Sequence, residues 1–280
     1  LGFLRPLGRL SPWVPRLLAI HAGVSLLAQS ARGTYLAPSM RLADNPVGIA
    51  LAILQGVLGV WLISGVRIRP AAGVLVLAGP LGMLVYGPVA ILERADLLGI
   101  ALFLAVLPPG RDRYGAAEPE RPRVLWSVFY LRMLVGLSLL VVAFTEKLID
   151  PHLALEFLDR YPVLNVARSL GLPVSDLMFV RIAGGIEVLF GLLLISGAAP
   201  QIAVVLTGIP FNATLFFFGA SELIGHLPVY GAMLALLVYG SEPALAPLVP
   251  VLDPWRAERS ARRMGGMAHS GPSPGTAPLI

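Results

Sequence analysis

Apolar residues run along this chain in eight blocks separated by short polar or Pro/Gly-containing breaks. The first spans Trp13 to Ala31, the second Asn45 to Gly65, the third Ala71 to Leu92 and the fourth Ala95 to Leu107. The fifth spans Val124 to Leu148, the sixth Asp176 to Gly197, the seventh Gln201 to Ala220 and the eighth Leu223 to Tyr239. A helix needs about 20 mostly apolar residues to cross a bilayer core, and most of the blocks reach or approach that length. The fourth and eighth are short, and would have to thin the bilayer or extend into flanking Pro-containing stretches. Pro80 and Pro210 fall inside blocks; neighbouring helices in a membrane bundle can satisfy the backbone groups they free. The pattern predicts an all-α, polytopic transmembrane bundle of about eight helices.

The blocks fall into two sets of four. Residues 1–107 make a first membrane repeat and 124–246 a second, joined by the polar linker 108–123, PPGRDRYGAAEPERPR. Residues 247–280 make a basic tail that loses apolar pattern after Pro254 and is expected to be disordered. Basic residues set the expected orientation. Eight spans put both termini, the linker and two loops on one side with thirteen arginines: Arg5, Arg9, Arg16, Arg67, Arg69, Arg111, Arg113, Arg121, Arg123, Arg256, Arg259, Arg262 and Arg263. The opposite side has six basic residues: Arg32, Arg41, Arg94, Lys147, Arg160 and Arg168. The excess marks the cytoplasmic side.

Composition agrees with the blocks. Of 280 residues, 56% are hydrophobic and 13% charged, against about 25% charged in soluble domains; the mean hydropathy is +0.80. With no cysteine, disulfides, thiolate metal sites and thiol relays within this chain are excluded. The pI near 10.0 reflects arginines flanking membrane segments, and points to topology rather than to nucleic acid. The lipid bilayer is the expected partner.

The two sets of blocks resemble each other in order. GVSLL from Gly23 matches GLSLL from Gly136, and LISG from Leu62 recurs from Leu194. Pro80 matches Pro210, and GIAL from Gly99 matches GAML from Gly231. The shared order, with an offset that is nearly constant apart from the step across the 150–176 stretch, indicates duplication; four segments per repeat make the repeats parallel. In this register Gln55 aligns with Glu187 and Thr34 with Lys147. The main insertion is the stretch 150–176 after the fifth block, whose apolar Leu155, Phe157, Leu158 and Val163 suggest short interfacial helices.

The second repeat resembles the DoxX-like family of four-helix bacterial membrane proteins. The resemblance is carried by LRMLVGLSLLVVAFTEKL from Leu131 and RIAGGIEVLFGLLLISG from Arg181, through Arg132, Gly136, Lys147, Leu148, Glu187, Gly191 and Gly197. It covers about Val124 to Gly240. The first repeat matches more weakly. The resemblance implies a duplicated four-helix module of the bacterial plasma membrane. Some relatives are associated with sulfur oxidation and quinone reduction, and most have no defined activity. No cofactor is predicted from the residues themselves; a quinone, and a membrane redox partner, enter only through the resemblance.

Glu187 is the most informative polar residue, lying 11 positions into the sixth block. A carboxylate at that depth must be protonated, paired or facing a polar cavity. Gly184 and Gly191 share its helical face, so another helix or a ligand can come close. Arg132 is expected to snorkel or pair. Lys147, Glu146 and Arg181 lie near outer helix ends and could line a vestibule, with Arg181 at a depth where Glu146 could meet it. Glu222 and His226 are spaced one turn apart for a proton relay, but with no third ligand visible they are not read as a metal site. His21 reads as a hydrogen-bonded packing residue, and Asn212 as a donor across helices.

Three functions are consistent with these residues. The first is a non-catalytic or accessory membrane subunit of a quinone-linked redox system. The second is a small-molecule or proton-coupled permease working through Glu187. The third, ranked last, is an enzyme using Glu222 and His226.

Overall fold

A computed structural model describes residues 2–111, 115–218 and 220–260, with backbone alone at 2, 214, 216–218 and 220–222. Among the described residues the chain is helical, and the only strand-like pairing is an isolated bridge between Thr34 and Arg41. After a 3-10 stretch, Gly2–Trp13, the helices are α1 Val14–Ala31, α2 Pro46–Ser64, α3 Ile68–Tyr86, α4 Pro88–Leu92 and α5 Ala95–Val106. Then follow α6 Arg121–Ala143, α7 His152–Arg160, α8 Val166–Ser169, α9 Asp176–Ser196, α10 Pro200–Phe218 and α11 Ala220–Ser241.

Local sequence explains where the long helices begin and end. Asn45 caps α2 by accepting from the Gly48 N–H at 2.9 Å, and Ser175 caps α9 by accepting from the Met178 N–H at 3.2 Å. Both helices stop at a left-handed glycine, Gly65 (φ 78°) and Gly197 (φ 69°), a conformation that a side chain would strain. The third apolar block, expected to be continuous from Ala71 to Leu92, is instead broken at Gly87–Pro88 into α3 and α4. The ring of Pro88 disfavours helical backbone at the preceding residue, and glycine there readily takes its φ of 84°.

Six helical stretches among the described residues are long and apolar enough to span a membrane: Phe3–Ala31, Pro46–Ser64, Ile68–Tyr86, Arg121–Ile149, Asp176–Ser196 and Leu223–Ser241. The chain is a multi-pass membrane protein. Its exposed surface supports this, with Ile53 62%, Val60 54%, Leu84 84%, Leu189 53% and Ile209 64% exposed, an apolar surface suited to lipid.

Helices α1, α5, α6 and α11 pack together at the centre. Each carries one outer helix: α2 lies on α1, α9 on α6, α3 on α5 and α10 on α11. The core contains Leu18, Leu26, Ile100, Phe103, Leu131 and Leu236, and the Phe103 ring stacks on Tyr239 at 6.1 Å. Helix α5 has 12 residues, about 18 Å at 1.5 Å per residue, shorter than the hydrocarbon core of about 30 Å. Irregular backbone at such depth is tolerated where protein encloses it. The turn before α5 meets that condition, since Ser138 Oγ donates to the Glu93 carbonyl.

One end of the bundle gathers the linker, the N-terminal stretch and the residues after α11. The Ala117 N–H donates to the Pro12 carbonyl at 2.7 Å, and Arg121 donates to the Ala244 carbonyl at 2.6 Å. The tail expected from residue 247 is ordered as far as residue 260. Val249 is buried, Trp255 meets Trp126 edge-on at 4.4 Å, and Trp126 donates to Glu258 at 3.2 Å. Trp255 itself stays 59% exposed, and the burial in this segment comes from Val249 and Pro254; residues 261–280 lie outside the described ones. At the other end, the insertion forms the short helices α7 and α8, and α7 packs on α9. There Tyr35, buried beside Tyr86, donates to the Ala78 carbonyl at 2.7 Å. Burial pushes its phenol up to about 12, so it remains a donor.

Helices α1 and α2 cross backbone to backbone at Gly23 and Gly59. A Cβ on Gly59 would lie 2.7 Å from the Gly23 carbonyl oxygen and 2.9 Å from the Leu27 nitrogen. Backbone cannot give way as a side chain does, so Gly59→Ala should lower stability by about 1–3 kcal/mol. Gly73→Ala, where a Cβ meets open space, should be neutral or stabilising because alanine favours helix. Thermal unfolding of both variants in one detergent checks the contrast; equal melting temperatures would show that the crossing is not tight.

Candidate functional site

The candidate site forms where α6 ends. The chain runs on from it through a π turn, Phe144–Ile149, a geometry frequent at functional sites. The π turn carries Thr145, Glu146 and Lys147. Opposite, on α9, Gly184 leaves room for this segment: a Cβ there would sit 2.9 Å from Leu148 Cδ2 and 3.0 Å from Lys147 Cβ. One turn further along α9, Glu187 Oε2 accepts from Lys147 Nζ at 2.9 Å, with each side chain 20% exposed. Glu187 is about 17 Å along α9 from Asp176 at 1.5 Å per residue, so the ion pair lies near the helix middle. The sequence left Glu187 as protonated, paired or facing a cavity; it is paired.

The same α9 face continues toward the opposite end of the bundle. Gly191 meets α6 at Gly136, where a Cβ on Gly191 would lie 2.9 Å from the Gly136 carbonyl oxygen. Beyond it, fully buried Arg132 donates from Nη1 to the carbonyls of Leu194 at 3.0 Å and Ile195 at 3.2 Å, and from Nη2 to Val251 at 2.8 Å. Carbonyls at a helix C-terminus lack intrahelical donors and carry partial negative charge, so a guanidinium there meets both needs. Arg132 therefore pairs with carbonyls and does not snorkel to water. Four contacts thus tie α6 to α9: Gly184 with Lys147 and Leu148, Glu187 with Lys147, Gly191 with Gly136, and Gly197 with Arg132.

Helices α1 and α2 make a related set of contacts with neutral groups. Gln55 Oε1 accepts from the Leu36 N–H at 2.8 Å, and its Nε2 donates to the carbonyls of Thr34 at 3.0 Å and Leu26 at 3.2 Å. Arg16 reaches the C-terminal glycine of α2, its Nη1 lying against the position that a Cβ on Gly65 would take.

Of the remaining expected site residues, Arg181 does not join Glu187. Arg181 is exposed beside Met178 and Ile182, on a different face of α9. Glu146 lies beside Lys147 in the π turn. His226 sits in α11 with its ring 4.9 Å from Phe211, and Glu222 precedes it by one turn of the same helix, its side chain outside the described residues. His21 Nδ1 bonds the Leu17 carbonyl at 2.7 Å within its own helix. Asn212 was expected to bond across helices, but it donates to the Gly208 carbonyl one turn back at 2.7 Å.

The sequence reading missed the polar turn before α5. Thr145 in the π turn donates to Glu93 Oε1 at 2.8 Å. Asp96 is fully buried, with Oδ2 at 3.4 Å from Arg94 Nη2 and Oδ1 unpartnered among the described residues. The signal was available: the fourth block is short, and the charges of GluArgAlaAsp stand where a spanning block would still be apolar. Counting Arg94 as a loop charge hid it.

No family model, curated protein or solved structure matches this chain.

Removing one partner of a desolvated ion pair leaves the other charge uncompensated, which costs about 3 kcal/mol or more where burial is complete. Lys147→Met and Glu187→Leu should each lower thermal stability in detergent. Lys147→Met combined with Glu187→Leu should recover most of the loss. Strictly additive losses in this double-mutant cycle would show that the pair is not coupled.

Proposed function

We propose that this chain is a duplicated, parallel four-helix module of the DoxX-like type, acting as a non-catalytic subunit of a quinone-linked redox assembly in the bacterial plasma membrane. The observation that carries the reading is the α6–α9 seam. The residues behind the sequence resemblance, Arg132, Gly136, Lys147, Leu148, Glu187, Gly191 and Gly197, come from two separated segments and meet as one continuous contact. Their geometry suits holding two membrane helices together.

Duplication is supported by the packing. The Gly23–Gly59 crossing of α1 and α2 corresponds to the Gly136–Gly191 crossing of α6 and α9, with Leu27 and Leu140 in the same relation to them. Gln55 reaches residues around Thr34 as Glu187 reaches Lys147. On this reading α5 and α10 complete a set of eight crossings. The arginine-rich end, with both terminal segments and the linker, then faces the cytoplasm.

The quinone association rests on the resemblance, with one supporting feature. Beside the seam, Phe129, Met133, Leu189, Leu193 and Leu252 line an apolar groove of about 380 Å³, whose chemistry suits an isoprenoid tail. A permease is the second reading, favoured by the residual exposure of Lys147 and Glu187 at mid-helix depth.

Mild-detergent purification from the native membrane, followed by mass spectrometry of proteins, quinones and lipids, separates the two. A stoichiometric oxidoreductase or quinone is the expected result. A lone protein with bulk lipid, together with proteoliposome flux lost on Glu187→Gln, would overturn the subunit reading in favour of transport.

A further inference from the structure

The two arginines that reach helix C-termini have different surroundings. Over Arg132, residues 250–251 close the site: the Val251 carbonyl accepts from Nη2, and Pro250 packs on Gly197. Over Arg16 no such segment closes among the described residues. Its guanidinium lies between Gly65 and Gly115, where a Cβ on Gly115 would be 3.1 Å from Arg16 Cδ, and its Nη1 is buried without a hydrogen-bond partner among the described residues. In place of a lid there is a cavity of about 1010 Å³.

Charge in that cavity is one-sided. Among the described residues, Arg16, Arg67, Arg69, Arg111 and Arg123 line it against Glu118 and Glu120, an excess of three positive charges. Glu120 is already engaged by Arg123 at 3.2 Å. Ile68 and Arg69, at the start of the 19-residue α3, also line the wall, and this helix begins without a side-chain cap. Its first N–H groups add positive potential to that of the arginines. Val66, in the cavity wall, is 62% exposed, and on α2, which ends two residues before it, Val60 is 54% and Val57 58% exposed, so apolar surface adjoins the basic wall.

We propose that this cavity holds the phosphate headgroup of an anionic phospholipid, with the acyl chains lying on the exposed face of α2. The arginine cluster recognises the phosphate, and basic pockets between membrane helices favour such headgroups. The adjoining valines favour a lipid over free phosphate. The site is independent of the Lys147–Glu187 pair and of the redox reading.

The test uses the full chain, purified and delipidated, with binding of phosphatidylglycerol, cardiolipin, phosphatidylcholine and inorganic phosphate followed by native mass spectrometry and thermal shift. Anionic lipids should bind at least tenfold more tightly than phosphatidylcholine and raise the melting temperature, and inorganic phosphate should not reproduce the shift. Arg67 and Arg69 are exposed, so Arg67→Ala/Arg69→Ala should fold and lose the tenfold preference, while Arg67→Lys/Arg69→Lys should retain most of it. Equal binding of charged and zwitterionic lipid, an unchanged preference in the alanine variant, or a shift given by phosphate alone would each overturn the proposal.

Discussion

Everything in this bundle depends on bringing helix backbones into contact where apolar surface alone supplies no drive. Lipid tails solvate leucine as well as a neighbouring helix does, so association rests on close packing and on polar ties. The chain meets this requirement with glycine at the crossings and hydrogen-bonding groups above and below them. Gly136 and Gly191 let α6 and α9 touch, Arg132 ties the seam at one end, and Lys147 with Glu187 ties it further along. Gly23, Gly59 and Gln55 do the same for α1 and α2 with neutral groups.

The two seams differ where their polar ties differ. An amide at Gln55 satisfies three backbone partners and leaves no charge to neutralise. The ion pair of the second seam needs both partners, and the π turn brings Lys147 to Glu187. That wider turn also presents Thr145 to Glu93, linking the seam to the polar turn ahead of α5. The seams differ again at the arginine-rich end, where residues 250–251 cover Arg132 and Arg16 faces an open basic cavity.

Much of the architecture is legible in sequence because hydrophobic length is a direct physical requirement of the bilayer. The long blocks correspond to long helices, and the glycines flanking Glu187 mark a face that another helix does approach. Local chemistry that acts against the block pattern was harder to read. Gly87–Pro88 divides an apolar run that composition joins. Asp96 and Arg94 resemble loop charges until α5 proves short enough to draw their turn into the protein. The packing of residues 247–260 on the bundle, through buried Val249 and Pro254 and the Trp255–Trp126 contact, is something that no periodicity within that charged segment reveals. Of the candidate site, the Glu187 pairing was readable from its depth, whereas the separation of Arg181 from it depends on which face of α9 each occupies.

Cysteine cross-linking tests the paired seams most directly, because the chain has no cysteine of its own. A Cβ at position 59 would lie 3.1 Å from Leu27 Cβ, and one at 191 would lie 2.9 Å from Leu140 Cγ, within reach of disulfide geometry after small adjustment. Oxidation of Leu27→Cys/Gly59→Cys and of Leu140→Cys/Gly191→Cys in native membranes should give an intramolecular disulfide in each, with none in the mixed pair Leu27→Cys/Gly191→Cys. Efficient cross-linking of the mixed pair, or of only one matched pair, would contradict two equivalent seams.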